Sequence, residues 1–310
     1  SSRDAALTAI GTERSTAADD RRVLQTLVPT DLLELYEKQR SRYGTGASLL
    51  REGVSQASGV KLLEDELQKL ADQGKRAKFI YCIPTHQNPA GCTLQLDRRE
   101  KLLELARRFN TFVLEDDAYG ELWFEQTPPP SVFALSNGDH GIKVSSFSKI
   151  IATGLRMGWI MGPPALISRV AALRYDMGSS PFLGRVIAEM MRNGDLDRHI
   201  ENLRGIYLRK LERVEDALAR YTAPYATYTR PLGGFFLWLQ LRPGLNSRDV
   251  QMAANEKGVV VGQGPQFFAD GNATNHIRLA FSYVAMEEIE EGIHRLGEAM
   301  AEVAARTAAK

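Results

Sequence analysis

Ser145 to Trp159 reads S-S-F-S-K-I-I-A-T-G-L-R-M-G-W, with one lysine, Lys149, in the run. Ser146 and Ser148 precede it, and Arg156 follows seven residues on. The apolar residues Ile142 and Val144 just upstream put the lysine where a strand ends. A lysine amine condenses with an aldehyde to a Schiff base. Hydroxyls and a guanidinium hold a phosphate dianion by charge-assisted hydrogen bonds. The segment therefore suits a covalently held, phosphorylated aldehyde. A surface lysine beside two chance serines would have the same local sequence, so the rest of the chain must separate the two readings.

Two further segments carry polar groups in similar settings. Tyr81 to Gly91 reads Y-C-I-P-T-H-Q-N-P-A-G, and Leu114 to Leu122 reads L-E-D-D-A-Y-G-E-L. Taken singly, an asparagine before proline is a turn, and a carboxylate three residues before a tyrosine is common. Their positions matter more. Short apolar runs at 77–83, 111–114, 142–145 and 158–161 read as strands, and 97–109 has helical periodicity through Leu102, Leu103, Leu105 and Ala106. Such alternation predicts an α/β fold with a mainly parallel central sheet and helices on both faces. Ligands of such sheets lie at the carboxyl ends of the strands. His86-Gln87-Asn88, Asp116-Asp117 and Ser146 to Lys149 all fall just past strand ends.

The flanks differ in character. Residues 1 to about 45 read as polar coil and then a helix through Leu27, Leu32, Leu33 and Tyr36, broken at Tyr43-Gly44-Thr45-Gly46. From about 195 the pattern becomes that of a smaller α+β domain. It has a long charged helix (196–221), strands at 225–229, 234–241, 259–261 and 277–281, a helix at 247–256 and a last helix from 286 to about 305. In that last helix Ile289, Ile293, Leu296, Met300 and Val303 form the apolar stripe. The expected division is an arm at 1–46, a large domain at 47–195 and a connecting helix with small domain at 196–310.

The 310 residues include 44% hydrophobic and 25% charged residues, enough for a substantial core. A net charge of +1 gives no bulk attraction to nucleic acid or anionic membranes. No apolar run approaches the roughly 20 residues needed to span a bilayer, and the first ten lack a signal peptide's apolar core. Two cysteines, Cys82 and Cys92, make no disulfide framework and suit small buried hydrophobes of a reducing, cytoplasmic compartment. The five histidines show no metal-site spacing, so no metal is expected.

The ordered set N-P-x-G, D-x-A-Y, S-x-S-K and G-L-R-x-G-W resembles the class I/II aminotransferases, pyridoxal-phosphate enzymes of fold type I. The resemblance spans about 77–300. It is nearest in flavour to the 2-aminoadipate and multi-substrate aminotransferases, whose domain also occurs in MocR-type regulators. It implies pyridoxal 5′-phosphate as cofactor, with Lys149 as the lysine that binds it and later shuttles a proton. Asp116 would face the pyridine nitrogen, with Asp117 as the competing candidate. Tyr119 and Asn88 would hydrogen-bond the ring's phenolate oxygen. Ser146 and Arg156, with Ser148 as a further contact, would hold the phosphate. Arg278, in N-H-I-R-L-A-F-S, matches the arginine that grips a substrate α-carboxylate. Gly53-Val54-Ser55-Gln56-Ala57 resembles the start of a phosphate loop, which brings Ser55 and Gln56 into the cofactor set. Tyr43, in Y-G-T-G, matches a tyrosine that reaches the cofactor phosphate of the neighbouring subunit, which implies a homodimer. Arg230 to Trp238 (R-P-L-G-G-F-F-L-W) matches a small-domain strand with a packing role, Gly233-Gly234 allowing close backbone approach.

The chain departs from the family pattern between Tyr43 and the strand at 77. The family has a longer stretch there, with a further helix, a strand and an aromatic residue that stacks on the pyridine ring; no residue here matches that aromatic. Either residues of the natural protein are missing from this sequence, or the chain has a true internal deletion. In the second case a sheet edge would be left unpaired.

The resemblance implies transfer of an amino group between an L-amino acid and a 2-oxo acid. The same cofactor set would also serve oxidation, cyclisation, elimination or replacement in specialised metabolism. A regulator's effector domain is the third reading. It predicts an N-terminal DNA-binding module with a basic helix, which these residues do not show. The residues leave the substrate's identity open.

Overall fold

A computed structural model describes residues 56–174, 178–268, 271 and 274–308, with side chains from residue 62 onward. Tyr43, Ser55 and the arm at 1–46 therefore lie outside the described residues, as does the Gln56 side chain.

The first sheet holds β1 (Phe79–Cys82), β2 (Phe112–Asp116), β3 (Gly141–Ser146) and β4 (Gly158–Met161), in that spatial order. β1, β2 and β3 are parallel, and β4 is antiparallel to β3. Helix α1 (Gln56–Asp72) runs through the stretch where the family pattern has an additional strand. Among the described residues β1 has one strand partner, β2, and Phe79 and Tyr81 on it are exposed. On the other side α2 (Leu96–Arg108) lays Leu102, Leu103, Leu105 and Ala106 onto Ile80 and Val113, as its periodicity predicts.

Strand alternation sorts β2 into two faces. Val113 and Glu115 are buried, whereas Phe112, Leu114 and Asp116 are only partly so. Glu115 is a structural carboxylate. It accepts from the backbone N–H of Val132 (3.2 Å) and Phe133 (2.9 Å) at the start of α3 (Val132–Ser136). Arg99 on α2 is fully buried and fastens the loop after β1. Its guanidinium donates to the carbonyls of Leu94 (2.8 Å), Pro130 (3.1 Å) and Pro84 (3.1 Å) and to Thr85 Oγ1 (2.9 Å).

Helices α4 (Pro164–Ala172) and α5 (Pro181–Arg192) lead to α6 (Asp195–Tyr221). The second sheet has the order β5 (Ala226–Tyr228), β6 (Phe236–Leu241), β8 (His276–Ala280), β7 (Gly262–Gln263), all antiparallel. Leu237, Leu239, Leu241, Ile277 and Leu279 point from it into a core shared with α6, α7 (Ser247–Glu256) and α8 (Ile289–Ala308). The five apolar positions expected on α8 are all buried.

Two expectations are corrected. The run at 259–261 is not a strand. Gly258 turns at φ +80°, Val260 is left 86% exposed, and pairing with β8 starts only at Gly262. Cys92 is exposed rather than buried, because it sits in the loop between β1 and α2.

The sheets meet where the segment before β6 crosses the loops of the first. Gly234 N donates to Leu122 O (2.8 Å), and Phe124 N to Leu232 O (3.0 Å). A Cβ at Gly233 would lie 2.4 Å from His86 Cε1, His86 Nε2 and Leu122 O, so the close approach expected for Gly233-Gly234 is real.

Arg99→Met would take the guanidinium donors from the Leu94 and Pro130 carbonyls, while the Pro84 carbonyl keeps the Leu94 N–H at 2.7 Å. It is expected to lower stability by about 3–5 kcal/mol, measured by chemical denaturation.

Candidate active site

Each predicted strand-end cluster occupies a defined turn. After β1 the chain folds back through Gln87 N to Cys92 O (2.9 Å) and Ala90 N to Gln87 Oε1 (2.8 Å), which presents Asn88. Gly91 (φ +68°) lets this loop touch Pro231 and the Phe236 carbonyl, where a Cβ would be 2.9 and 3.1 Å away. After β2 Tyr119 is buried, with Phe235 and Phe236 edge-on to its ring at 5.7 Å each. Burial first, and then the charge of Asp116, raise the Tyr119 phenol above its ordinary pKa. It therefore keeps its proton at neutral pH and can donate from Oη.

Arg278 on β8 joins these loops from the second sheet. Its guanidinium lies between the Phe236 and Phe267 rings, at 4.4 and 4.6 Å from their centroids, and Nη1 donates to Asn88 Oδ1 at 2.8 Å. Burial lowers its pKa from the ordinary value, and the group remains a cation. Arg278 Nε is buried with no hydrogen-bond partner among the described residues.

After β3 the turn carrying Lys149 is closed by Ile151 N to Phe147 O (2.8 Å), and Ile150 packs against the cluster of Tyr119, Leu122, Phe235 and Phe236. Lys149 is half-buried, and its ammonium has no hydrogen-bond or ion-pair partner among the described residues. Ser146 Oγ accepts from Ser148 N at 2.9 Å. Arg156 is exposed, in the left-handed region at φ 50°, and its Nη1 donates to Thr153 O at 3.3 Å. No hydrogen bond joins Arg156 to either serine among the described residues.

The structure thus brings Asn88, Tyr119 and Arg278 together and sets the Lys149 turn beside them. Asp116 and Asp117 separate by partner. Asp117 forms an ion pair with Lys143, and Asp116 Oδ2 accepts from Tyr81 Oη at 2.7 Å. Sequence reasoning passed over Tyr81, Phe236 and Phe267. The readable signal was strand period: Tyr81 lies on the strand beside Asp116, and Phe236 and Arg278 fall on one face of paired strands.

The model for "Aminotransferase class I and II" matches residues 55–296, so the chain belongs to that family. It is 37% identical over 245 residues to aromatic-amino-acid aminotransferase 1 of Thermococcus litoralis, covering 78% of this chain and 59% of that protein. The uncharacterized HTH-type transcriptional regulator YdfD of Bacillus subtilis is 32% identical, with 76% and 49% covered. Among solved structures, the multiple substrate aminotransferase of Thermococcus profundus superposes with a TM-score of 0.75 at 36% identity, covering 80% of this chain and 62% of that one. The chain spans about three fifths of the length of the aminotransferases it matches. The fold is that of the fold type I transferases.

Membership implies pyridoxal 5′-phosphate, and the donor set fits it. The Lys149 amine, without a partner among the described residues, suits its aldehyde, Asp116 and Tyr119 its ring, and the hydroxyls and guanidinium of Ser146, Ser148 and Arg156 its phosphate.

His86, between this loop and Gly233, is 1% exposed, and Nε2 lacks a partner among the described residues. Burial first, and then the Arg99 charge, push its pKa down to about 4. The unfolded chain takes up a proton near the ordinary value of 6.5, which the folded one refuses until about 4. Stability therefore falls as pH drops through that window, by up to about 3 kcal/mol. Urea midpoints at about pH 7 and about pH 5 should differ less in His86→Asn than in wild type.

Proposed function

We propose that the protein is a pyridoxal-phosphate-dependent aminotransferase that moves an amino group between an L-amino acid and a 2-oxo acid. The observation that carries this reading is the reach of Arg278 from the second sheet to Asn88, which puts a carboxylate anchor beside the Tyr119 phenol. The aminotransferase names of relatives in both Thermococcus species support it.

The cofactor, when bound, supplies an aldehyde for a lysine amine and a ring that accepts an electron pair from the substrate carbon. The chain's own groups would then act as follows. Lys149 Nζ holds the cofactor and moves the proton of the substrate carbon. Asp116 keeps the ring nitrogen's proton in place. Tyr119 Oη and Asn88 donate to the ring oxygen. Ser146, Ser148 and Arg156 carry the phosphate, with Ser55 and Gln56 as further contacts. Arg278 binds the substrate carboxylate by paired charge-assisted bonds. Its place between two rings removes water and fixes its plane.

A homodimer, with Tyr43 reaching the neighbouring subunit's cofactor, and a cytoplasmic location belong to the same proposal. So does the division into parts at 1–46, 47–195 and 196–310, which two separate sheets support. No described helix is long and apolar enough to cross a membrane.

Incubation with pyridoxal phosphate and borohydride should label wild-type protein by intact mass and leave Lys149→Ala unlabelled. Unlabelled wild type, or equal labelling of the variant, would overturn the reading. A panel of amino acids should then yield the matching 2-oxo acids. Ammonia, peroxide or cyclic products would point instead to the other chemistries of this cofactor. Binding without turnover would favour an effector domain, the reading that the regulator relative supports. Arg278→Ala is expected to raise KM for the amino acid about 10- to 100-fold, with a smaller change in kcat.

A further inference from the structure

Two adjacent carboxylates close β2, and they are held in opposite ways. Asp117 is neutralised by Lys143, with both side chains mostly covered. Asp116 has no cation within ion-pair distance among the described residues; its partner is the neutral phenol of Tyr81, which donates to Oδ2 at 2.7 Å. Tyr81 lies opposite Leu114 on the neighbouring parallel strand, and period two puts Leu114 and Asp116 on one face. Burial first, and then the bond to Asp116, raise the Tyr81 phenol above its ordinary pKa, so it remains a donor.

The difference has a chemical consequence. A lysine or arginine at position 81 would cancel the carboxylate's charge. A phenol fixes the carboxylate plane, whose terminal torsion is otherwise broad, and leaves the charge in place. Oδ1 keeps no hydrogen-bond partner among the described residues. We infer that Tyr81 is a positioning residue that aims Asp116 Oδ1 toward the cofactor's ring nitrogen without neutralising it. The inference rests on Asp116 as the ring-nitrogen carboxylate of the proposed function.

The test is a double-mutant cycle on cofactor affinity. Tyr81→Phe keeps the ring of this partly exposed residue and removes only the hydroxyl; an unchanged melting curve verifies the fold. The dissociation constant for pyridoxal phosphate, followed by absorbance, should rise about tenfold in Tyr81→Phe. In an Asp116→Asn background the same substitution should change it by less than about threefold. The pH titration of the bound cofactor's visible band should move in Tyr81→Phe relative to wild type. It should not move when Tyr81→Phe is added to Asp116→Asn. An equal loss in both backgrounds would mean that Tyr81 acts by packing, and no loss in either would mean that it does nothing for the cofactor. Each overturns the inference while borohydride labelling at Lys149 leaves the aminotransferase reading standing. Wild-type protein that binds no pyridoxal phosphate overturns both.

Discussion

The missing side chain at residue 233 sets the geometry of the site. Backbone there lies against the His86 ring and the Leu122 carbonyl, closer than any Cβ permits. That contact brings the segment before β6 across the loops that follow β1 and β2, and the bonds from Gly234 N to Leu122 O and from Phe124 N to Leu232 O lock it. Phe235 and Phe236 then fall on Tyr119, and β8, paired to β6, delivers Arg278 to Asn88. A bulkier residue at 233 would lift the second sheet and lengthen the Arg278–Asn88 distance, with every contacting residue left intact. The loop after β1 has to be equally firm, and the buried Arg99 makes it so by tying it to α2 and to the segment before α3.

Much of this was legible from periodicity and order. The parallel strands of the first sheet, the α2 face and the α8 stripe follow from where apolar residues recur. The polar clusters at strand ends, together with family motifs, pointed to Asn88, Asp116, Tyr119 and Lys149. What escaped were contacts between elements far apart in sequence. Nothing local tells that Arg278 will lie between Phe236 and Phe267, or that Tyr81 will bond a carboxylate 35 residues away. The valine run at 259–261 misled because β-propensity measures fit to a half-buried surface, whereas Val260 lies in solvent beyond a glycine turn. Arg99 was invisible for a similar reason. A charged residue on a helix reads as solvent-facing until the carbonyls it serves are known.

The charges divide into two populations. Those that hold the fold are satisfied within it: Glu115 by two backbone N–H groups, Asp117 by Lys143, and Arg99 by three carbonyls and a hydroxyl. Those proposed for chemistry meet neutral groups or none. Asp116 has a phenol, Arg278 an amide oxygen and two ring faces, and Lys149 no partner among the described residues. A counterion at any of the three would stabilise the unliganded protein and would have to be displaced by a ligand of the same sign. Neutral partners orient a charge and leave its field to act on whatever enters. Burial strengthens that field, since Arg278 and Tyr119 lie where the surrounding dielectric is low. The arrangement costs stability, because desolvated charges are left uncompensated. The tightly packed joint at Gly233 and the loop pinned by Arg99 hold the surrounding backbone in place against that cost.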